Sequence, residues 1–152
     1  MFTTTLKRVL IAAILMIATT SGYAADKGYK LGSVWNVSLI SVEPGQTDDY
    51  IKGLKSFYTT VIDEAIKEKF VISYKMLDGN RANPQDWNFV ILVEYKNWAA
   101  FDGINDKFDA IQARIAGSAT KAEEEGKKQM SERVKIRTIF GGKPMQEILL
   151  TR

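Results

Sequence analysis

Hydrophobic and polar positions along the chain change period several times, and each change marks an element. Val34 to Val42 (VWNVSLISV) alternates: Trp35, Val37 and Leu39 share one face, and Asn36, Ser38 and Ile40 the other, as in a strand. Pro44-Gly45 then supplies a turn. From Thr47 the period becomes helical. Tyr50, Leu54, Phe57, Tyr58, Val61, Ile62, Ala65 and Ile66 form one stripe, which predicts an amphipathic helix of about five turns. Thr47 is its expected N-cap, with Asp48 and Asp49 set against the helix dipole. Phe70 to Leu77 reads as a second strand and Trp87 to Tyr95 as a third, joined by a polar connection that contains Asn83-Pro84. The third strand is apolar on both faces apart from Asn88 and Glu94, the pattern of a strand covered on both sides.

A second helix is expected from about Asn97, with Trp98, Phe101, Ile104, Phe108, Ile111 and Ile115 on one side and a stop at Gly117-Ser118. Residues 119 to 133 are helical but mostly polar. Glu123 with Lys127 and Glu124 with Lys128 form favourably oriented i,i+4 pairs, and Ala122, Met130 and Val134 give only a thin apolar stripe. This EEEGKK segment reads as a solvated face. Val134 to Phe140 predicts a fourth strand, Gly141-Gly142-Lys143-Pro144 a turn, and Met145 to Leu150 a last strand-like piece.

The order is β-α-β-β-α-β with an extra C-terminal helical segment before the last strand. This is the α+β, ferredoxin-like split βαβ pattern, and it occupies residues 33–150. Two helices cover one face of such a sheet. Either Ile40, Val90 and Leu92, or Trp35, Val37, Phe89, Ile91 and Val93, must then find another partner, and a second copy of the same sheet is the simplest one. Trp35, Trp87 and Trp98 read as core or interface packing.

Composition narrows the chemistry. Histidine and cysteine are both absent. That excludes Ser-His-Asp and Cys-His nucleophile pairs, Cys/His zinc sites, disulfides and an imidazole haem ligand. No metal and no cofactor is expected. Residues 1–24 read as a secretory signal peptide: Lys7-Arg8, the apolar run Val9 to Ala18, then small and polar residues up to a cut after Ala24. The apolar run is about half of the roughly 20 residues that a bilayer span needs, so no stable membrane insertion is expected after cleavage. The expected location is periplasmic or secreted. The formal charge of +3 includes the two basic residues of the leader, so the remainder is close to neutral and lacks the basic footprint of a nucleic-acid partner.

The segments VWNVSLISVEPGQTDDYIKGL, VISYKMLDGN and DWNFVILVEYKNWAAFDGINDKFDAI resemble the dimeric α+β barrel superfamily. That group includes antibiotic-biosynthesis monooxygenases, haem-degrading monooxygenases and NIPSNAP-like proteins. The likeness is closest to small exported members without assigned activity. It implies two ferredoxin-like sheets paired face to face as a homodimer, with a ligand held between sheet and helices or inside the barrel. Haem-using branches rely on a ligating histidine that this chain lacks.

The candidate site residues are the polar side chains on otherwise apolar strands: Asn36, Ser38, Tyr74, Asn88 and Glu94, with Lys75 and Arg137 also on strands. A buried Glu94 would be suited to act as a base, or simply to pair with Lys96, Lys75 or Arg137. The expectation is a non-enzymatic exported dimer, or one that binds a small apolar or amphipathic molecule. The alternative is a cofactor-free monooxygenase or isomerase that uses the barrel cavity.

Overall fold

The first strand sorts its side chains strictly by parity. Val34, Ile40 and Val42 are buried against helices, with Asn36 and Ser38 on the same side, while Trp35, Val37 and Leu39 point to the other face. The structure is a computed structural model and describes residues 27–151. The signal-peptide reading of residues 1–24 lies outside the described residues. Leu31–Leu149 forms one compact unit. A second unit includes Lys30 and Leu150, and within it Thr151 donates its N–H to the Gly28 carbonyl at 2.9 Å.

The elements are β1 (Tyr29–Val42), α1 (Thr47–Ser56), α2 (Tyr58–Lys67), β2 (Ser73–Asp78), β3 (Phe89–Tyr95), a 3-10 turn (Trp98–Phe101), α3 (Ile104–Ala116), α4 (Ala119–Arg133) and β4 (Arg137–Leu150). The sheet order is β2-β3-β1-β4. β3 runs antiparallel to both β1 and β2. On the far side of β1, Glu43 N–H donates to Ile136, Gly142 packs against Val37 and Ser38, and Ser33 meets Glu147, so β4 is antiparallel as well. This is the ferredoxin-like α+β topology, with the helices on one face.

Several local expectations are corrected. The long first helix is two helices, broken at Phe57, where φ is −123°. Ser56, Thr59 and Thr60 explain the break. Their hydroxyls donate to the carbonyls of Gly53, Lys55 and Ser56, and such back-bonding competes with the helical ladder. Thr47 lies inside α1 rather than capping it; Gln46 holds the cap position without a side-chain bond. The helix expected from Asn97 starts at Ile104, after extended backbone at Asn97, the 3-10 turn and a left-handed Gly103. Gly117 ends α3 at φ 86°, and the Ser118 hydroxyl accepts the Lys121 N–H at the start of α4.

The expected Gly-Gly-Lys-Pro turn is instead the middle of a 14-residue strand. β4 lies at the edge of the sheet, where Pro144 removes no ladder hydrogen bond if its nitrogen faces outward. Gly141 takes φ +147°, and a Cβ at Gly142 would come within 3.0 Å of the Val37 carbonyl.

The register also corrects the two apolar sets. Ile40 faces Phe89, and Ser38 faces Ile91, so Phe89, Ile91, Val93 and Tyr95 join Ile40 beneath the helices. Tyr50, Leu54, Val61, Ile62, Ala65 and Ile111 close this core from the helices, and Tyr50 meets Phe89 edge to face at 5.2 Å. Trp35, Val37 and Leu39 share the open face with Val90, Leu92 and Glu94 of β3 and Lys75 and Leu77 of β2. Trp87 and Trp98 are exposed rather than core residues.

Candidate functional site

Between the sheet and the helices, the core is not completely filled. A cavity of about 490 Å³ opens there. Its floor is Asn36 from β1 with Val93 and Tyr95 from β3. Phe57 and Tyr58, at the break between α1 and α2, form one wall with Val61 and Ile62. Phe108 and Gln112 of α3, and Gly126, Gln129, Met130 and Arg133 of α4, complete it. The helix break therefore falls at the cavity wall, with Phe57 and Tyr58 both facing the cavity.

The polar groups of the lining have a common character. Burial pushes the Tyr58 phenol up to about 12, with the neighbouring Tyr95 and Tyr50 adding to the shift. Burial likewise raises Tyr95 to about 12. Neither hydroxyl has a hydrogen-bond partner among the described residues. Arg133 is half-buried, and its Nε donates to the Gln129 carbonyl at 3.2 Å. Desolvation and the nearby Arg137 hold its pKa below the usual arginine value, yet a guanidinium keeps its proton in a protein. Gln129 is only 7% exposed. Its Nε2 donates to Ser56 Oγ and Glu125 Oε1, both at 2.8 Å, and its Oε1 is buried without a partner. No Asp, Glu or Lys lines the cavity. At neutral pH its titratable groups are thus all protonated donors.

The five residues expected from sequence are divided between environments. Asn36 lines the cavity. Ser38 is on the same face, beside Gly142. Tyr74 packs against the core from β2, and burial followed by the nearby Asp63 raises its phenol. Asn88 joins strand ends: its Oδ1 accepts the Val42 N–H at 2.7 Å and its Nδ2 donates to the Val42 carbonyl at 3.3 Å. Glu94 is on the opposite face, where it accepts from the hydroxyls of Ser33 at 2.7 Å and Ser73 at 2.5 Å. Its neighbour Glu147 also accepts from Ser33. Glu94 is paired with serines, not with Lys96, Lys75 or Arg137. Lys75 instead lies 5.1 Å above the Trp35 ring, and Arg137 donates to Tyr50 Oη at 3.2 Å.

Tyr58, Tyr95, Gln129 and Arg133 were not among the residues expected from sequence. The signal for the last two is the spacing of Gly126, Gln129, Met130 and Arg133, which puts one face of α4 over the cavity. Among the described residues there is no group of three or more Asp or Glu able to hold a metal ion, and no helix long and apolar enough to cross a membrane.

The sequence matches no family model and no curated protein. Solved structures do resemble it. A protein from Shewanella oneidensis is 19% identical, with 80% of this chain and 98% of that one covered, at a TM-score of 0.46. A dimeric ferredoxin-like protein from an uncultured marine organism is 10% identical, with 80% and 90% covered, at 0.42. A Caulobacter crescentus structure, provisionally assigned as an antibiotic biosynthesis monooxygenase, is 18% identical, with 82% and 93% covered, at 0.35.

Proposed function

With the ferredoxin-like topology as its frame, we propose that this chain is an exported homodimer that binds a small molecule with an apolar body between sheet and helices. One observation carries the reading: a cavity of about 490 Å³, walled by Phe57, Tyr58, Tyr95 and Phe108 and entered by a few convergent polar groups. Apolar walls with a small number of placed polar groups are the usual make-up of a ligand site. The lining favours binding over proton-transfer chemistry. Tyr58 and Tyr95 are pushed up to about 12 and hold their protons at neutral pH, so neither serves as a base.

The dimer reading rests on the second sheet face, where Trp35, Val37, Leu39, Val90 and Leu92 lie together on the side away from the core that the described helices cover. Export follows from the leader pattern of residues 1–24.

Native mass spectrometry of protein recovered from its own host tests the binding reading. A retained small molecule is expected in the wild type and is expected to be lost in Gly126→Phe. Gly126 lines the cavity, and a Cβ there meets nothing within 4 Å, so the added ring has room to enter. A folded Gly126→Phe variant that retains the molecule as well as wild type would overturn the assignment to this cavity.

A further inference from the structure

The cavity's chemistry identifies the class of molecule, on the premise that the proposed binding site is correct. Arg133 borders the cavity, half-buried, and makes no ion pair among the described residues. Asp49 and Glu132 line its outer side, but Asp49 pairs with Lys52, and neither carboxylate reaches the guanidinium. A second guanidinium, Arg137, stands close by over the Tyr50 ring and donates to that residue's hydroxyl. Arg137 does not line the cavity, but its charge is near enough to act on Arg133, so the half-buried Arg133 carries positive charge that no carboxylate of the lining compensates. The other polar groups of the lining are the amides of Asn36, Gln112 and Gln129 and the phenols of Tyr58 and Tyr95, which hold protons to donate; none carries negative charge.

We infer that Arg133 is the anchor for an organic carboxylate, and that the ligand is a small amphipathic acid whose aryl or acyl body lies against Phe57, Tyr58 and Tyr95. A carboxylate accepts two parallel N–H bonds from a guanidinium, which gives orientation as well as attraction.

Isothermal titration at neutral pH with matched probes tests the inference. 2-Naphthoate is compared with 2-naphthalenemethanol, and decanoate with decanol; the aryl and acyl pairs separate the two sources of such an acid. Wild-type protein is expected to bind at least one acid about tenfold or more tightly than its alcohol, in line with a charge-assisted pair. Arg133→Gln is expected to abolish that preference while leaving the alcohol's affinity within about twofold, and Arg133→Lys to restore part of it. The wild-type comparison stands even if Arg133→Gln fails to fold. Equal affinity for acid and alcohol, or a preference that survives in folded Arg133→Gln, overturns the anchor and leaves the cavity reading intact. Wild-type protein that binds none of the four probes overturns both.

Discussion

At the scale of single residues, polar side chains on the strands serve different ends, which their spacing alone does not separate. Asn88 imitates a strand partner for Val42, which is fully buried. Arg81 also donates to the Val42 carbonyl, at 2.6 Å, so the N–H depends on Asn88 more than the carbonyl does. Asn88→Ala is therefore expected to cost about 1–3 kcal/mol by orphaning a buried donor, as measured by urea unfolding. Tyr58 and Tyr95 supply a pH dependence. Both are raised from 10.0 to about 12 in the folded chain. A raised folded pKa gives stability that is complete below about pH 10 and lost as pH climbs towards 12, because the native state then holds more protons than the unfolded one. Thermal unfolding followed across that window should show the decline, and Tyr58→Phe should reduce its slope. Asn36 was visible from sequence because it interrupts an apolar strand. Tyr58 was not, because an aromatic residue in a helical stripe looks the same whether it fills a core or lines a cavity.

Element by element, the sequence predicted the kinds of structure better than their joints. β1, the greater part of β2, β3 and the polar helix α4 lie where periodicity puts them, because burial enforces the period, whereas β4 runs straight through the turn expected at residues 141–144. The break at Phe57 escaped because the apolar stripe runs through it unbroken; the cause lies in the hydroxyls of Ser56, Thr59 and Thr60 on the polar side. α4 was misread in a related way. Ala122 is buried as expected, but Val134 is 65% exposed and Gln129 is buried, so the inward face runs through Ala122 and Gln129 rather than along an Ala122, Met130 and Val134 stripe. Gly126 in the middle of α4 is a second consequence of that face. It weakens the helix, and no atom would obstruct a methyl group there. Gly126→Ala should raise stability by about 0.5–1 kcal/mol in chemical denaturation. A loss of stability would mean that the glycine is needed for close packing after all.

For the molecule as a whole, the decisive surface is the sheet face opposite the helices. Leu92 lies there between Val37 and Lys75, and Val90 between Leu39 and Leu77. Placing a charge at Leu92 leaves the helical core untouched but would be strongly disfavoured in a paired sheet. Leu92→Asp should give a monomer with wild-type circular dichroism, while the wild type scatters light as a dimer at micromolar concentration. A wild-type protein of single-chain mass would refute the pairing. The split βαβ order was legible in advance; which apolar residues share a face was not, since that depends on register across strands. The long strand β4 has one further consequence. Outermost among the described strands, it presents its free edge beside Ile139, Phe140, Met145, Ile148 and Leu149, all of them exposed. Such a border invites other chains to add to it, end over end, into fibrils. Lys143 and Pro144, in the stretch that looks like a turn, interrupt that border with a charge and a missing N–H. With both replaced by valine, the chain should form thioflavin-T-positive fibres at concentrations where the wild type stays clear. The four residues Gly141-Gly142-Lys143-Pro144 would then be a guard against polymerisation, written into the strand in the vocabulary of a loop.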